Sequence, residues 1–212
     1  MGTITKGILG GFSGKVGSVV GGTWKGIDYM RSQSSRRTRA ATALQLQQQQ
    51  KFSVMMKFIQ PLAGLLSVSF RNFAVKMTGS NSAFSYNLKN AITGIYPDYA
   101  VAYNMALVSR GDLPNANNPS ATAGTTGKVE FGWINNAGTG KAADTDLCIT
   151  VAFCPEVNQA VYSTQGNPRG QQSDSLDAGV FSGKLVETWL GFISADGKEV
   201  ATSIYTGQVT VL

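Results

Sequence analysis

Histidine is absent from this chain of 212 residues. Without it, the Ser-His and Cys-His pairs that activate many enzyme nucleophiles cannot form in their usual way. The commonest zinc ligand is missing as well, and two cysteines are too few for a closed four-cysteine zinc site. The composition therefore argues against hydrolytic and zinc-dependent enzymes. We expect a protein with no enzymatic activity and no cofactor.

Cysteine is scarce, and its two positions do not suit a disulfide. Cys148 and Cys154 stand six residues apart in a predicted strand, which separates them by roughly 20 Å. A disulfide needs Cα atoms within about 7 Å of each other, so a bridge inside this strand is excluded. The two cysteines therefore indicate neither a reducing nor an oxidising compartment.

Long apolar runs are also missing. No stretch approaches the roughly 18 apolar residues that a membrane span requires, so we expect none. Residues 1–22 are rich in glycine and interrupted by Lys6 and Lys15, so they lack the apolar centre of a secretory signal. We expect synthesis in the cytoplasm. The final compartment stays open, and release in an assembled particle is one option.

Charge is low and unevenly spread. Charged residues make up 14% of the chain, well below the usual quarter, and a surface rich in amides and hydroxyls is typical of capsid, fibre and adhesin subunits. Residues 1–51 hold eight basic residues and a single acid, whereas the remainder holds ten basic and eleven acidic residues. Such asymmetry indicates a contact with nucleic acid, a membrane surface or an acidic protein.

Arginines cluster after the first β-prone segments, at Arg31, Arg36, Arg37 and Arg39. Cations of this kind can hold phosphates while an aromatic ring, here Trp24 or Tyr29, stacks on a base. The alternative is a solvated loop. We therefore take these four arginines as candidate nucleic-acid contacts.

The glycine-rich N-terminus has two parts. Residues 15–20 and 23–31 are β-prone and joined by Gly21-Gly22, which predicts a hairpin turning at that pair. Residues 1–14 are too rich in glycine for a regular strand interior. We predict an assembly arm that becomes ordered against a neighbouring subunit, although it could instead pack on the chain's own helices. Its apolar side chains are Ile4, Ile8, Leu9 and Phe12.

Helical patterns follow. Residues 42–60 carry an apolar stripe at Phe52, Met55, Met56 and Ile59, which predicts a core-facing helix or a methionine-rich peptide groove. A second helix begins at Pro61 and a third spans about 81–92. Residues 99–108 alternate between apolar and polar side chains, which predicts a strand.

Residues 111–127 read as a linker rich in Gly, Pro and Asn, and short apolar runs separated by turn residues follow it. We therefore predict an α+β chain with two domains. Residues 1–118 would hold the N-terminal β-hairpin, the helices and the linker, and residues 119–212 would form a β-sandwich with Trp133 in its core.

The last part of the chain resembles an immunoglobulin-like or fibronectin type III sandwich, through Trp133 and a final hairpin that turns at Asp196-Gly197. The whole chain resembles an uncharacterised Bacteroidetes family of unknown function. The segments that carry this second resemblance are 10–17 (GGFSGKVG), 20–26 (VGGTWKG), Arg31, 51–52, 60–62, 86–91 (YNLKNA), 191–192, 196–198 and Tyr205. The first resemblance implies only a fold, and the second implies no known activity.

The function that we favour is a non-enzymatic structural or assembly subunit of a phage-like particle, a filament or a surface assembly. Such a subunit would form a homo-oligomer. The alternatives are a monomeric binding module for carbohydrate or protein, and a nucleic-acid-associated protein that uses the basic segment.

Overall fold

The computed structural model describes residues 2–4, 7, 10–24, 26–34 and 40–212. The chain divides into two compact units, Met1–Thr42 and Ala43–Leu212. The predicted α+β class is confirmed: an N-terminal sheet precedes helices, and a β-rich part follows.

The smaller unit is an antiparallel sheet whose four strands lie in chain order. They are β1 (Thr3–Ile4), β2 (Phe12–Val16), β3 (Val19–Trp24) and β4 (Ile27–Ser32). Within residues 1–14, which we predicted to be an assembly arm, β1 and the first residues of β2 belong to this sheet.

A hairpin is present where predicted, but Gly21-Gly22 is not its turn. The two glycines lie inside β3, and the chain turns instead near Gly17 and Gly26, both with positive φ. Only glycine fits at position 21, because a Cβ there would stand 2.1 Å from the Phe12 carbonyl oxygen. Gly21 therefore allows a close approach of the Phe12 backbone, and Gly22 leaves room for the Tyr29 side chain.

In the larger unit, helix α1 (Ala43–Ile59) continues through a 3-10 turn at Gln60–Leu62 into α2 (Ala63–Ser69). Pro61 is the second residue of the 3-10 turn, and proline is tolerated in the first turn of a helical segment. The continuous segment Ala43–Ser69 is long and apolar enough to cross a membrane by length and composition. This is weak evidence, because the core helix of a soluble protein passes the same test.

Helix α3 (Gly79–Asn90) begins with a cap at Thr78, whose hydroxyl accepts a hydrogen bond from the Asn81 N–H at 3.2 Å. After it, β5 (Ile92–Thr93) pairs with β6 (Ala100–Val101). The strand predicted over residues 99–108 is wrong beyond Val101, since Tyr103–Met105 forms a 3-10 turn. Side chains satisfy the backbone there: Asn87 bonds both polar backbone groups of Leu107.

Two antiparallel sheets complete the larger unit. The three-stranded sheet has the order β11-β8-β7, and the four-stranded sheet has the order β10-β9-β12-β13. The strands are β7 (Asn117–Ala123), β8 (Lys128–Ile134), β9 (Leu147–Cys154), β10 (Gln159–Ser163), β11 (Ser173–Asp177), β12 (Leu185–Ile193) and β13 (Ile204–Thr210).

The two central strands of the four-stranded sheet, β9 and β12, are buried on both faces. Cys148, Ala152 and Cys154 of β9 join the core shared with the three-stranded sheet, whereas the alternate residues of β9 join the helical core. This two-sided burial explains the nearly continuous apolar run of β9. Both cysteines are buried free thiols.

The helices and the four-stranded sheet therefore share a core. Phe58 of α1 stacks edge-on against Phe153 of β9, with ring centroids 5.3 Å apart, and lies 5.8 Å from Trp189 of β12. The boundary predicted between residues 118 and 119 lies inside this unit, and the linker predicted at 111–127 contains most of β7. The division of the chain falls at Thr42 instead.

Candidate functional site

The N-terminal sheet exposes most of its side chains. Among the described residues from 2 to 34, Gly21 alone is buried, and both hydrophobic cores consist of residues from the larger unit. Its exposed large apolar side chains are Ile4, Val16, Val19, Trp24, Ile27, Tyr29 and Met30. A small sheet without a core of its own gains stability by covering one of its faces.

Strand register places part of this set on one face. Ile4 is opposite Phe12, and Val16 is opposite Val19. Met30 is opposite Gly21, over which the Phe12 ring lies. Because directly paired residues share a face and alternate residues return to it, these five side chains lie together. We call them the apolar face: Ile4, Phe12, Val16, Val19 and Met30.

The opposite face is chemically different. Trp24 is opposite Ile27, Tyr29 is opposite Gly22, and Val20 is opposite both Lys15 and Arg31. We call this the basic aromatic face and define it by Lys15, Trp24, Ile27, Tyr29 and Arg31.

The residues predicted as sites separate onto these two faces. Ile4 and Phe12, predicted as assembly contacts, share the apolar face, and Arg31, predicted as a nucleic-acid contact, lies on the basic aromatic face. Ile8, Leu9, Arg36, Arg37 and Arg39 lie outside the described residues.

Sequence reasoning missed Val16, Val19 and Met30. The alternation of apolar residues along the strands was a signal for them, but assigning the turn to Gly21-Gly22 gave the wrong register. A register error of one residue moves every side chain to the other face of a strand.

The larger unit has an apolar groove between α1 and α3. The predicted stripe on α1 is divided, because Met55 and Ile59 are in the core while Phe52 and Met56 are exposed. Phe52 packs on Phe84 of α3 at a ring-centroid distance of 4.6 Å. The groove encloses about 260 Å³.

A carboxylate is buried on strand β12 of the four-stranded sheet. Glu187 accepts hydrogen bonds from the Tyr205 hydroxyl at 2.5 Å and from Gln208 Nε2 at 2.9 Å. Burial raises the pKa of Tyr103 to about 12, and the Glu187 charge acts in the same direction. Burial and Glu187 also raise the pKa of Tyr205. Both phenols therefore stay protonated near neutral pH, and Tyr205 acts as a hydrogen-bond donor that satisfies Glu187.

An ion pair is buried beside the three-stranded sheet. Arg169 Nη2 lies 3.1 Å from Asp146 Oδ2, and their side chains are 0% and 3% exposed. The guanidinium also donates to Asn136 Oδ1 and to the Pro114 carbonyl. Burial lowers the pKa of Arg169, while Asp146 opposes that shift. This network connects three loops: the one before β7, the one between β8 and β9, and the one between β10 and β11.

The Asp144-Thr-Asp146 sequence is used in structural contacts. Asp146 is bound to Arg169, and Asp144 accepts a hydrogen bond from Asn135 at 2.6 Å. Within the described part of the chain, no three His, Cys, Asp or Glu side chains are grouped to hold a metal ion. Burial raises the pKa of the Cys148 thiol, which disfavours its thiolate form.

The family model for the family of unknown function DUF6266 matches residues 11–207. The chain belongs to this family. No curated protein and no solved structure matches the chain. The DUF6266 match begins at Gly11 and so includes β2, β3 and β4 as well as most of the larger unit. Three of the four strands of the N-terminal sheet therefore lie within the segment that the family model matches.

Proposed function

We propose that this protein is a non-enzymatic structural or assembly subunit that binds neighbouring copies through the apolar face of its N-terminal sheet. A phage-like particle, a filament or a surface assembly would suit it. The observation that carries the proposal is the exposure of that face: Ile4, Val16 and Met30 are 55%, 54% and 71% exposed in a sheet whose described residues form no core of their own.

Burial of these side chains is the expected driving force. Removing one large apolar side chain from water contributes about 1.5–3 kcal/mol, so several together can drive association. A second copy is the simplest partner, because most soluble oligomers are made of identical chains. The low charge of the whole sequence is consistent with a surface used for contacts.

The test is the native mass of the full chain by size-exclusion chromatography with light scattering at two concentrations. We expect an oligomer, and we expect Met30→Asp or Val16→Asp to convert it to a monomer. Val180→Asp is the matched control, because Val180 is equally exposed at 72% but lies in the larger unit. A chain that begins at Ala43 should stay folded and monomeric.

The proposal fails if the wild-type chain is monomeric at both concentrations. It also fails if Met30→Asp and Val180→Asp give the same mass as the wild type. A charge on the apolar face could unfold the small sheet and leave the larger unit intact. The substitution Met30→Ala covers that case, because it removes apolar area without adding a charge and should weaken association less than aspartate does.

A monomeric binding module is the second candidate, and the α1–α3 groove favours it. Exposed Phe52 and Met56 beside Phe84 form an adaptable apolar surface of the kind that accepts the apolar face of a peptide helix. A monomeric native mass would support this candidate over assembly. Met56→Asp should then abolish the binding of an amphipathic peptide, whereas Val180→Asp should not.

We also propose that the two sheets form an immunoglobulin-like sandwich of the fibronectin type III kind. Counting from β7, the first, second and fifth strands form one sheet, and the third, fourth, sixth and seventh form the other. In the immunoglobulin constant topology, the fourth strand pairs in the sheet of the first, second and fifth strands. Here the fourth strand, β10, lies in the other sheet. Trp133, 5% exposed, packs edge-on against Phe192 of the facing sheet, as expected of a core tryptophan.

A further inference from the structure

We infer that the basic aromatic face of the N-terminal sheet binds single-stranded nucleic acid. This inference is independent of the proposed assembly role, which uses the opposite face. It arises from side chains that the strand register brings together: two half-exposed aromatic rings flanked by two cations.

The rings are available for stacking. Trp24 and Tyr29 are 54% and 46% exposed. Tyr29 pairs with Gly22, and a Cβ at Gly22 would stand 3.0 Å from the Tyr29 hydroxyl oxygen, so the absence of a side chain leaves room for the ring. Trp24 is two residues beyond Gly22 on the same strand. Diagonal neighbours of this kind lie about 7–8 Å apart, so two bases of one strand can reach both rings.

The cations share that face. Lys15 and Arg31 are both exposed, and both are opposite Val20 in neighbouring pairs. The single acid among residues 1–51 is Asp28, which lies on the opposite side and accepts a hydrogen bond from the Thr23 hydroxyl at 2.5 Å. The described residues of the basic aromatic face therefore carry positive charge only.

This combination selects the chemistry of the partner. Aromatic rings on the face of a sheet stack on unpaired bases, and neighbouring Lys and Arg side chains neutralise the phosphates. Bases in a duplex are already stacked on one another, so a single strand is the better ligand. An acidic protein surface would use the cations but would have no need of two exposed rings.

The test is fluorescence anisotropy of a labelled oligothymidine and a labelled oligouridine with the full chain over a range of salt concentrations. We expect affinity to fall as salt rises, because bound phosphates release counterions. Trp24→Ala should weaken binding by about fivefold to 150-fold, the effect of losing one stacked base. Trp24→Phe, which keeps a ring, should restore most of the affinity.

The charge is tested separately. Arg31→Gln should reduce the slope of log affinity against log salt by about 0.7, the contribution of one phosphate on a single strand. Lys198→Gln is the matched control, because Lys198 is an exposed cation of the larger unit, and it should leave the slope unchanged. Native mass and circular dichroism confirm that each variant stays folded and keeps its oligomeric state.

Three results would overturn the inference. The first is that neither oligonucleotide binds at low salt. The second is that the Trp24→Ala variant binds as tightly as the wild type. The third is that a duplex of the same length binds more tightly than either single strand. Polyglutamate that displaces the oligonucleotide at equal charge, together with no effect of Trp24→Ala, would identify an acidic protein as the partner instead.

Discussion

The buried ion pair between Arg169 and Asp146 gives the sharpest prediction for stability. Arg169→Met keeps a long apolar side chain in the site but removes the cation. Asp146 would then remain buried without its partner, and Asn136 Oδ1 and the Pro114 carbonyl would each lose a donor. Breaking a buried pair on one side costs about 3–5 kcal/mol, and we expect a loss of that size in the free energy of unfolding.

Lys184→Met is the matched control. Lys184 pairs with Glu156, but the two side chains are 31% and 66% exposed, so water screens the pair. Such a pair contributes about 0–1 kcal/mol. Urea unfolding followed by tryptophan fluorescence should separate the two variants. Trp133 is a suitable probe because its indole N–H donates to the Arg169 carbonyl at 2.8 Å.

A double variant tests whether the loss of stability in Arg169→Met comes from the unpaired Asp146 carboxylate. If the cost comes from the unpaired carboxylate, adding Asp146→Asn to Arg169→Met should recover about 0.5–3 kcal/mol, the range of coupling between contacting residues. A loss below about 1 kcal/mol for Arg169→Met, equal to the control, would refute the reasoning, because the pair would then be screened as if it were exposed.

Three further predictions concern the core. A fragment of residues 43–212 should unfold cooperatively. A fragment of residues 119–212 should not, because it lacks the helices that cover one face of the four-stranded sheet. Urea titration of each fragment tests this expectation. Trp133→Ala should destabilise the larger unit by about 3–5 kcal/mol in the same assay, and a loss under 1 kcal/mol would mean that the ring is not in the core. Folding raises the pKa of Tyr103 from 10.0 to about 12. The stability that the neutral phenol contributes is therefore present below pH 10 and is lost as the pH rises from 10 to 12. Tyr103→Phe should reduce that loss, and an unchanged dependence of the free energy of unfolding on pH would contradict the shift.

The sequence by itself determined the features that depend on local chemistry. The periodicity of residues 42–60 predicted helix α1, which spans Ala43–Ile59, because an apolar stripe is a property of one helix. The spacing of Cys148 and Cys154 excluded a bridge inside their strand, and both are free thiols. The asymmetry of charge between residues 1–51 and the rest is likewise read directly from the sequence.

Contacts between distant residues required the tertiary structure. Gly21-Gly22 matched the pattern of a hairpin turn, and the crossing Phe12 backbone that requires glycine there comes from another strand. Residues 99–108 alternate like a strand, but side-chain partners such as Asn87 hold much of that segment in another form. No local pattern contains such partners.

The candidate faces show the same division. The sequence supplied the apolar and basic residues of the N-terminal sheet, but the register decided which of them share a face, since a shift of one residue reverses every side chain. The domain boundary also depended on the fold. Residues 111–127 have the composition of a linker, yet the helices before them and the sheet after them bury each other's apolar faces in one core, and that pairing is a property of the folded chain alone.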